Sequence, residues 1–371
     1  MLKTCPEKSI KGPKNEQKIS TRASSIINML YLNIMFKRND AFSIEIKDPN
    51  NIEEVDPIHS SIVIANDLFV IKKNSIYRVM TADTIDPDHK HPDTKHSYEK
   101  IFDIGSSSPY LARVTIQFDE IIKFLSLPKE EHDNLLSYLW QANRYLLSAF
   151  VIDTFLVKET AKLMPICDKI IEENKSKSSI PAFPQIHDLD GNVRTYLNNA
   201  KLFLIESFRL LNIFYKMPFG GKNIAHFNSH LEWVEKHLGK EHHIAKMISR
   251  DLGWIRLISE CRNALEHPEE GQEVKFKNLT LLPGNKFSGP GWSYDLTKKL
   301  NLKYDFVDLI NDLSIFSHNM LHFFEELFLI SVDEKLADSK ILALAEIPDK
   351  AISLNCPIKY KVTLKEEYLK K

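Results

Sequence analysis

Arg262, Asn263 and His267 fall within the run Arg262-Asn263-Ala264-Leu265-Glu266-His267-Pro268, and together they suit the chemistry of a phosphodiester. An arginine grips two non-bridging oxygens through parallel hydrogen bonds. An amide positions a neighbouring oxygen, and an imidazole, whose ordinary pKa is about 6.5, moves a proton near neutral pH. That chemistry requires no metal and no cofactor. Glu260 shares a helix face with Asn263 and His267, at spacings of three and seven, and could orient the imidazole. The plainer readings are an exposed Glu260 paired with Arg256, and an Arg262 paired with Glu266 one turn on.

A helix must position these groups. Apolar residues at Ile244, Ile248, Leu252, Ile255, Ile258 and Leu265 predict one buried stripe, with Arg262 upon it. A guanidinium cannot shed its proton to escape burial. At such a place it is paired, sits at the domain's edge, or faces a cleft that receives an anion. Pro268 disfavours helical geometry at His267, so the helix is expected to stop there and leave the imidazole free to turn back toward the arginine.

The sequence Arg-Asn-x-x-x-His, at the end of a long helix in a helical region, resembles the signature of the HEPN family: an Arg, four to six residues, then His, often with Asn or another polar residue directly after the Arg. The resemblance covers about residues 190–335 and nothing before about residue 130. It implies a compact helical bundle that often forms a homodimer, and, in many members, metal-independent endoribonuclease activity in which the RNA's 2′-hydroxyl attacks the adjacent phosphate and leaves a cyclic phosphate end. Carried onto this chain, it makes His267 the general acid/base, Arg262 the phosphate clamp and Asn263 an orienting group. It also implies an RNA substrate, a toxin or defence role, and a neutralising partner protein. Other members keep the bundle as a binding or scaffold module, so the rival expectation is a non-catalytic RNA- or protein-binding module of the same fold.

Other clusters suggest less. His226 and His230, and His318 and His322, stand at i,i+4 as zinc ligands would, but without the Glu of a His-Glu-x-x-His motif. His89, His91 and His96, mixed with Asp86, Asp88 and Asp93, fit a solvated turn better than a metal site. Gly284 and Gly289 have the separation of a phosphate loop, yet Pro290 stands where its lysine belongs. Cys261 reads as a core cysteine. Lys286, Trp292 and Tyr294 could together stack an unpaired base, although packing a hairpin onto the bundle explains the aromatics better.

The wider chain sets the frame. Its 371 residues carry 49 Lys and Arg against 50 Asp and Glu, so no whole-molecule field draws it to nucleic acid or to an anionic membrane, and any RNA contact must be a local patch. With 43% hydrophobic residues it can bury real cores, and with only 11 glycines it is a poor match for folds built on glycine turns. No apolar run is long enough to span a bilayer. Cys5, Cys167, Cys261 and Cys356 are too scattered for a disulfide framework, so a soluble cytoplasmic protein without membrane partners is expected.

The fold expected is mainly α. Residues 1–22, with six Lys or Arg against two Glu, read as a flexible basic tail. Residues 23–126 read as a small mixed α/β region: a helix over Ser24–Phe36, then strands over Phe42–Lys47, Ser61–Ala65, Leu68–Lys72, Ile76–Met80 and Leu111–Phe118. Residues 127–335 form the helical bundle, with helices over Glu130–Asn174 (kinked or broken at Pro165), Val193–Lys216, two within Ile224–Glu266 parted near Gly239, and Phe306–Ser331. A β-hairpin or wide loop over Gly271–Gly291 is inserted in the bundle. Residues 336–371 are left as a C-terminal tail.

Overall fold

Lys129–Glu173, a 45-residue helix, is the longest element of the computed structural model, which describes residues 56–65, 67–220 and 224–365 together with Ile46 and Tyr368. The basic tail, the helix expected over Ser24–Phe36 and nearly all of the strand expected over Phe42–Lys47 lie outside the described residues.

The first layer is an antiparallel meander, β1 (Ile58–Ile64), β2 (Asp67–Lys72), β3 (Ile76–Met80) and β4 (Ser97–Phe102), in that spatial order. The Lys73-Asn74-Ser75 turn joins β2 to β3, closed by Lys72 N–H donating to the Ser75 carbonyl at 2.8 Å. Alternation assigns the two faces. Ile62, Ile64, Phe69, Ile71 and Ile76 enter the main core, whereas Leu68, Val70, Tyr77 and Val79 form a small second cluster with Ile46. Gly105 passes so close behind this sheet that a Cβ would lie 2.2 Å from the Lys72 carbonyl oxygen; only glycine fits there.

Residues 109–122 form helix α1, not the strand expected over Leu111–Phe118. Pro109 starts it, Ala112–Ile116 is a π-helical turn, and Gln117–Ile122 completes it. The β-branched run misled because every residue from Ala112 to Ile116 is buried, so the segment has no exposed face to reveal a helical period. The longer helices that follow are α2 (Lys129–Glu173), α3 (Leu189–Phe208), α4 (Leu210–Tyr215), α5 (Phe227–His237), α6 (His243–Glu266) and α7 (Leu309–Ala337), with single-turn helices at Ala82–Ile85 and Thr297–Leu300. Pro165 lies inside α2 without ending it. The segment expected over Val193–Lys216 is two helices that meet at Arg209. Gly239, at φ +99°, marks the expected break before α6.

One continuous core joins the sheet to the helices. Phe69 of β2 packs on Trp140 of α2 with ring centroids 4.4 Å apart, Phe118 of α1 stacks on Phe328 of α7 at 3.8 Å, and Phe203 of α3 meets Phe324 of α7 edge-on. Tyr196, fully buried on α3, donates to the Leu313 carbonyl at 2.8 Å.

The insertion is larger than a hairpin. Strands β5 (Glu273–Lys277), β8 (Gly291–Leu296) and β9 (Leu302–Asp308) form a sheet in the order β5-β8-β9, and β6 (Thr280–Leu282) pairs with β7 (Lys286–Ser288). Residues 306–308, expected to open the last helix, close β9; Asp308 then caps α7 by accepting from Asn311 N–H at 3.0 Å. The C-terminal tail contains a further hairpin, β10 (Leu342–Glu346) with β11 (Tyr360–Leu364). It is held to α1 by Gln117, whose Oε1 accepts from the N–H groups of Lys359 (2.6 Å) and Tyr360 (2.8 Å). The fold is mainly α with small antiparallel sheets, and among the described residues no helix is long and apolar enough to cross a membrane.

Candidate functional site

The stripe that anchors α6 consists of Ile244, Ile248, Ile255, Ile258, Cys261 and Ala264, all essentially closed to solvent. The position assigned to Arg262 in the core is thus taken by its neighbour Cys261, whose thiol pKa is pushed up by burial. Arg262 lies at the edge of the stripe with its side chain 27% exposed. It makes the plain ion pair, Nη2 to Glu266 Oε1 at 3.2 Å, yet its buried Nε–H has no hydrogen-bond partner among the described residues. Pro268 acts as expected: α6 stops at Glu266, and His267 becomes its C-cap (φ −134°, ψ 68°), its N–H donating to the Asn263 carbonyl at 2.8 Å and its imidazole on an exposed residue.

Asn263 is held from both sides. Its Oδ1 accepts from Lys201 Nζ of α3 at 2.7 Å, and its Nδ2 donates to Glu260 Oε2 at 3.4 Å. Glu260 therefore faces Asn263 rather than Arg256, which donates instead to the Lys299 carbonyl at 3.2 Å. Lys201 is the cation that spacing along the chain did not suggest, since it lies 62 residues from Asn263. Desolvation lowers its pKa, and the neighbouring Arg262 charge lowers it further. Arg194, also on α3, pairs with Asp190 and donates to the Leu265 carbonyl at 2.9 Å. The C-terminal end of a helix carries a partial negative charge, about half an electron's worth, that would repel a phosphate. Arg194 offsets it. At this helix end Lys201 and Glu260 hold the Asn263 amide, Arg194 holds the Leu265 carbonyl and Arg262 pairs with Glu266, while the His267 imidazole makes no hydrogen bond or ion pair with any of them among the described residues.

The residues proposed to stack a base do not share an open surface. Trp292 is fully buried, packed edge-on against Phe316, and its indole N–H donates to Asp312 at 2.8 Å, so no face of its ring is open to a base. Tyr294 is 7% exposed; both fasten the β-sheet to α6 and α7. Lys286 is exposed on β7, beside Asp168 and Glu172 at the end of α2.

The histidine pairs have different surroundings. His230 is fully buried between Phe208, Phe219 and Phe227, with Nδ1 on the His226 carbonyl at 3.0 Å and Nε2 without a partner. Burial depresses its pKa to about 4. The His318 and His322 rings lie 4.2 Å apart, tilted at 58°, and desolvation, then Arg113, lowers the pKa of His322. Asp86 organises the loop after β3, accepting from the N–H groups of Lys90 and His91. Among the described residues no group of three or more His, Cys, Asp or Glu side chains is placed to hold a metal ion. No family model, no curated protein and no solved structure matches the chain.

Proposed function

We propose that this chain is a metal-independent endoribonuclease of HEPN type, with its site at the end of α6. The observation that supports this reading is the arginine: Arg262 has a single carboxylate contact and a buried, unpartnered Nε–H, beside an amide fixed by Lys201. That donor lies beneath the surface, but the rest of the guanidinium, on a side chain 27% exposed, has further N–H groups that a phosphate oxygen would take. His267 takes the proton of the 2′-hydroxyl as O2′ forms a bond to phosphorus. The P–O5′ bond breaks, O5′ takes a proton from solvent water, His267 returns its proton to solvent, and the products carry a 2′,3′-cyclic phosphate and a 5′-hydroxyl. Arg262 and Lys201 neutralise the charge that builds on the non-bridging oxygens, and Asn263 orients one of them. The HEPN resemblance extends the proposal to a homodimer with two facing motifs, to a toxin or defence role, and to a neutralising partner protein.

A non-catalytic RNA- or protein-binding module is favoured by one observation, the formed Arg262–Glu266 pair. One variant separates the two readings. His267→Ala, past the helix end and exposed, is expected to fold normally and to lower cleavage of a mixed RNA by about 10²- to 10⁴-fold, with chelator leaving the wild-type rate unchanged. A folded His267→Ala protein that cuts as fast as wild type overturns the mechanism, and wild-type activity lost in chelator overturns metal independence.

A further inference from the structure

A cleft of about 380 Å³ opens beside the helix end, between the start of α5, the last turns of α6 and the short helix Thr297–Leu300 that follows β8. It is lined by His226 and Glu232 from α5, by Arg256, Ser259 and Glu260 from α6, and by Lys299. Its volume lies in the range of small-molecule sites. Its charges cancel: two carboxylates stand against a guanidinium and an ammonium. A phosphate would want an excess of cations, so the cleft suits a neutral ligand that both donates and accepts hydrogen bonds.

We propose that this cleft receives a guanine base of the RNA substrate. A carboxylate only accepts hydrogen bonds. Among the four bases, guanine alone presents two adjacent donors, N1–H and N2–H₂, on its Watson–Crick edge, which match one carboxylate of Glu232 or Glu260. Its O6 and N7 are acceptors, the pair that arginine or lysine commonly reads, and Arg256 and Lys299 supply such donors. Adenine would turn the lone pair of its N1 against a carboxylate. Cytosine offers one amino group beside an unprotonated ring nitrogen, and uracil a single N–H between two carbonyls. An unpaired base can present these edges because single-stranded RNA leaves them free.

The location supports the assignment. Glu260 lines the cleft and also accepts from Asn263, so one carboxylate joins the base pocket to the proposed phosphate site. The inference rests on the ribonuclease reading for its RNA substrate, and it fixes the residue recognised next to the cut.

Binding of GMP and of AMP to the full chain, measured by calorimetry, tests the pocket without any need for cleavage. GMP is expected to bind at least tenfold more tightly than AMP. Glu232→Gln and Glu260→Gln, checked for unchanged thermal unfolding, are expected to shrink that ratio, because an amide presents a donor where guanine needs an acceptor. Equal affinity for the two nucleotides, no binding of either, or a ratio untouched by both substitutions overturns the pocket. Mapping cut sites on a mixed RNA separates this outcome from the first proposal. A GMP-selective chain that cuts no RNA supports the pocket and defeats the ribonuclease, whereas base-indifferent cleavage with equal GMP and AMP affinity defeats the pocket and spares the ribonuclease.

Discussion

Two arginine–glutamate pairs occupy opposite kinds of ground in this molecule. Arg113 of α1 and Glu325 of α7 are 5% and 4% exposed. Arg113 Nε donates to Glu325 Oε1 at 2.9 Å and its Nη2 to Oε2, while Gln117 Nε2 donates to the same carboxylate at 3.0 Å. His322 Nδ1 lies 3.4 Å from the Nη2. Arg262 and Glu266, by contrast, lie one turn apart on a single helix, half open to water, joined by one contact with a donor left over. The buried pair has its geometry fixed by two helices, α1 and α7, and can accept no new partner without breaking the core. The helix-end pair has spare hydrogen-bonding capacity and can exchange its carboxylate for an anion at little loss. The same two residue types are therefore architecture in one place and, on the proposed reading, an anion site in the other, and solvent access makes the difference.

Removing one partner should separate the pairs most sharply. Glu325→Ala strands a guanidinium in the core and is expected to lower unfolding free energy by about 3–5 kcal/mol in a denaturant titration, whereas the double change Arg113→Met with Glu325→Leu recovers most of it. A loss below about 1 kcal/mol for the single change would erase the contrast.

Acid probes the same contrast through the buried histidines. The folded pKa of His230, about 4, lies below the ordinary 6.5, so the native state binds fewer protons than the unfolded chain. Its contribution is complete above about pH 6.5 and drains as pH falls toward 4, a span worth on the order of 3 kcal/mol. His322, also shifted down, acts in the same direction. Thermal melts from pH 7 to pH 4.5 should show this acid loss, and His230→Gln should flatten it. An unchanged slope in that variant would mean that the buried ring is not what titrates.

Glu266→Ala should do least to the fold. An exposed i,i+4 pair contributes at most about 1 kcal/mol, so the melt should barely move, and on the proposed reading cleavage should persist because the Arg262 guanidinium itself is kept. A collapse of stability there would turn the helix-end pair into a second piece of architecture.

How far these regions were legible in the sequence follows from the range of the forces involved. The end of α6 is written locally, in Pro268 and in the apolar spacing before it. So is the break at Gly239. The displacement of Arg262 to the edge of the stripe was not legible, because one residue of helical phase decides whether Cys261 or Arg262 enters the core, and a stripe of six apolar residues does not fix phase that finely. Lys201 escaped notice because only tertiary packing brings α3 to Asn263. The helix α1 escaped because a segment buried on all sides carries no periodic signal. The packing role of Trp292 and Tyr294 was legible, since large aromatics in an inserted strand suit a face turned onto the bundle, and both are buried there.

The double hydrogen bond from Gln117 to the last hairpin also sets a clock on synthesis. Gln117 meets the backbone of Lys359 only after 242 further residues have been added, and Arg113 meets Glu325 after 212. At ribosomal rates of about 5–20 residues per second, the first of these delays is roughly 12–48 s. During that interval α1 holds a guanidinium and an amide destined for the interior with their partners still unmade, so the nascent chain cannot seal its core from the N-terminal side. Closure has to wait for α7 and then for the hairpin, which makes β11, more than two hundred residues downstream, the strand that completes the burial of α1.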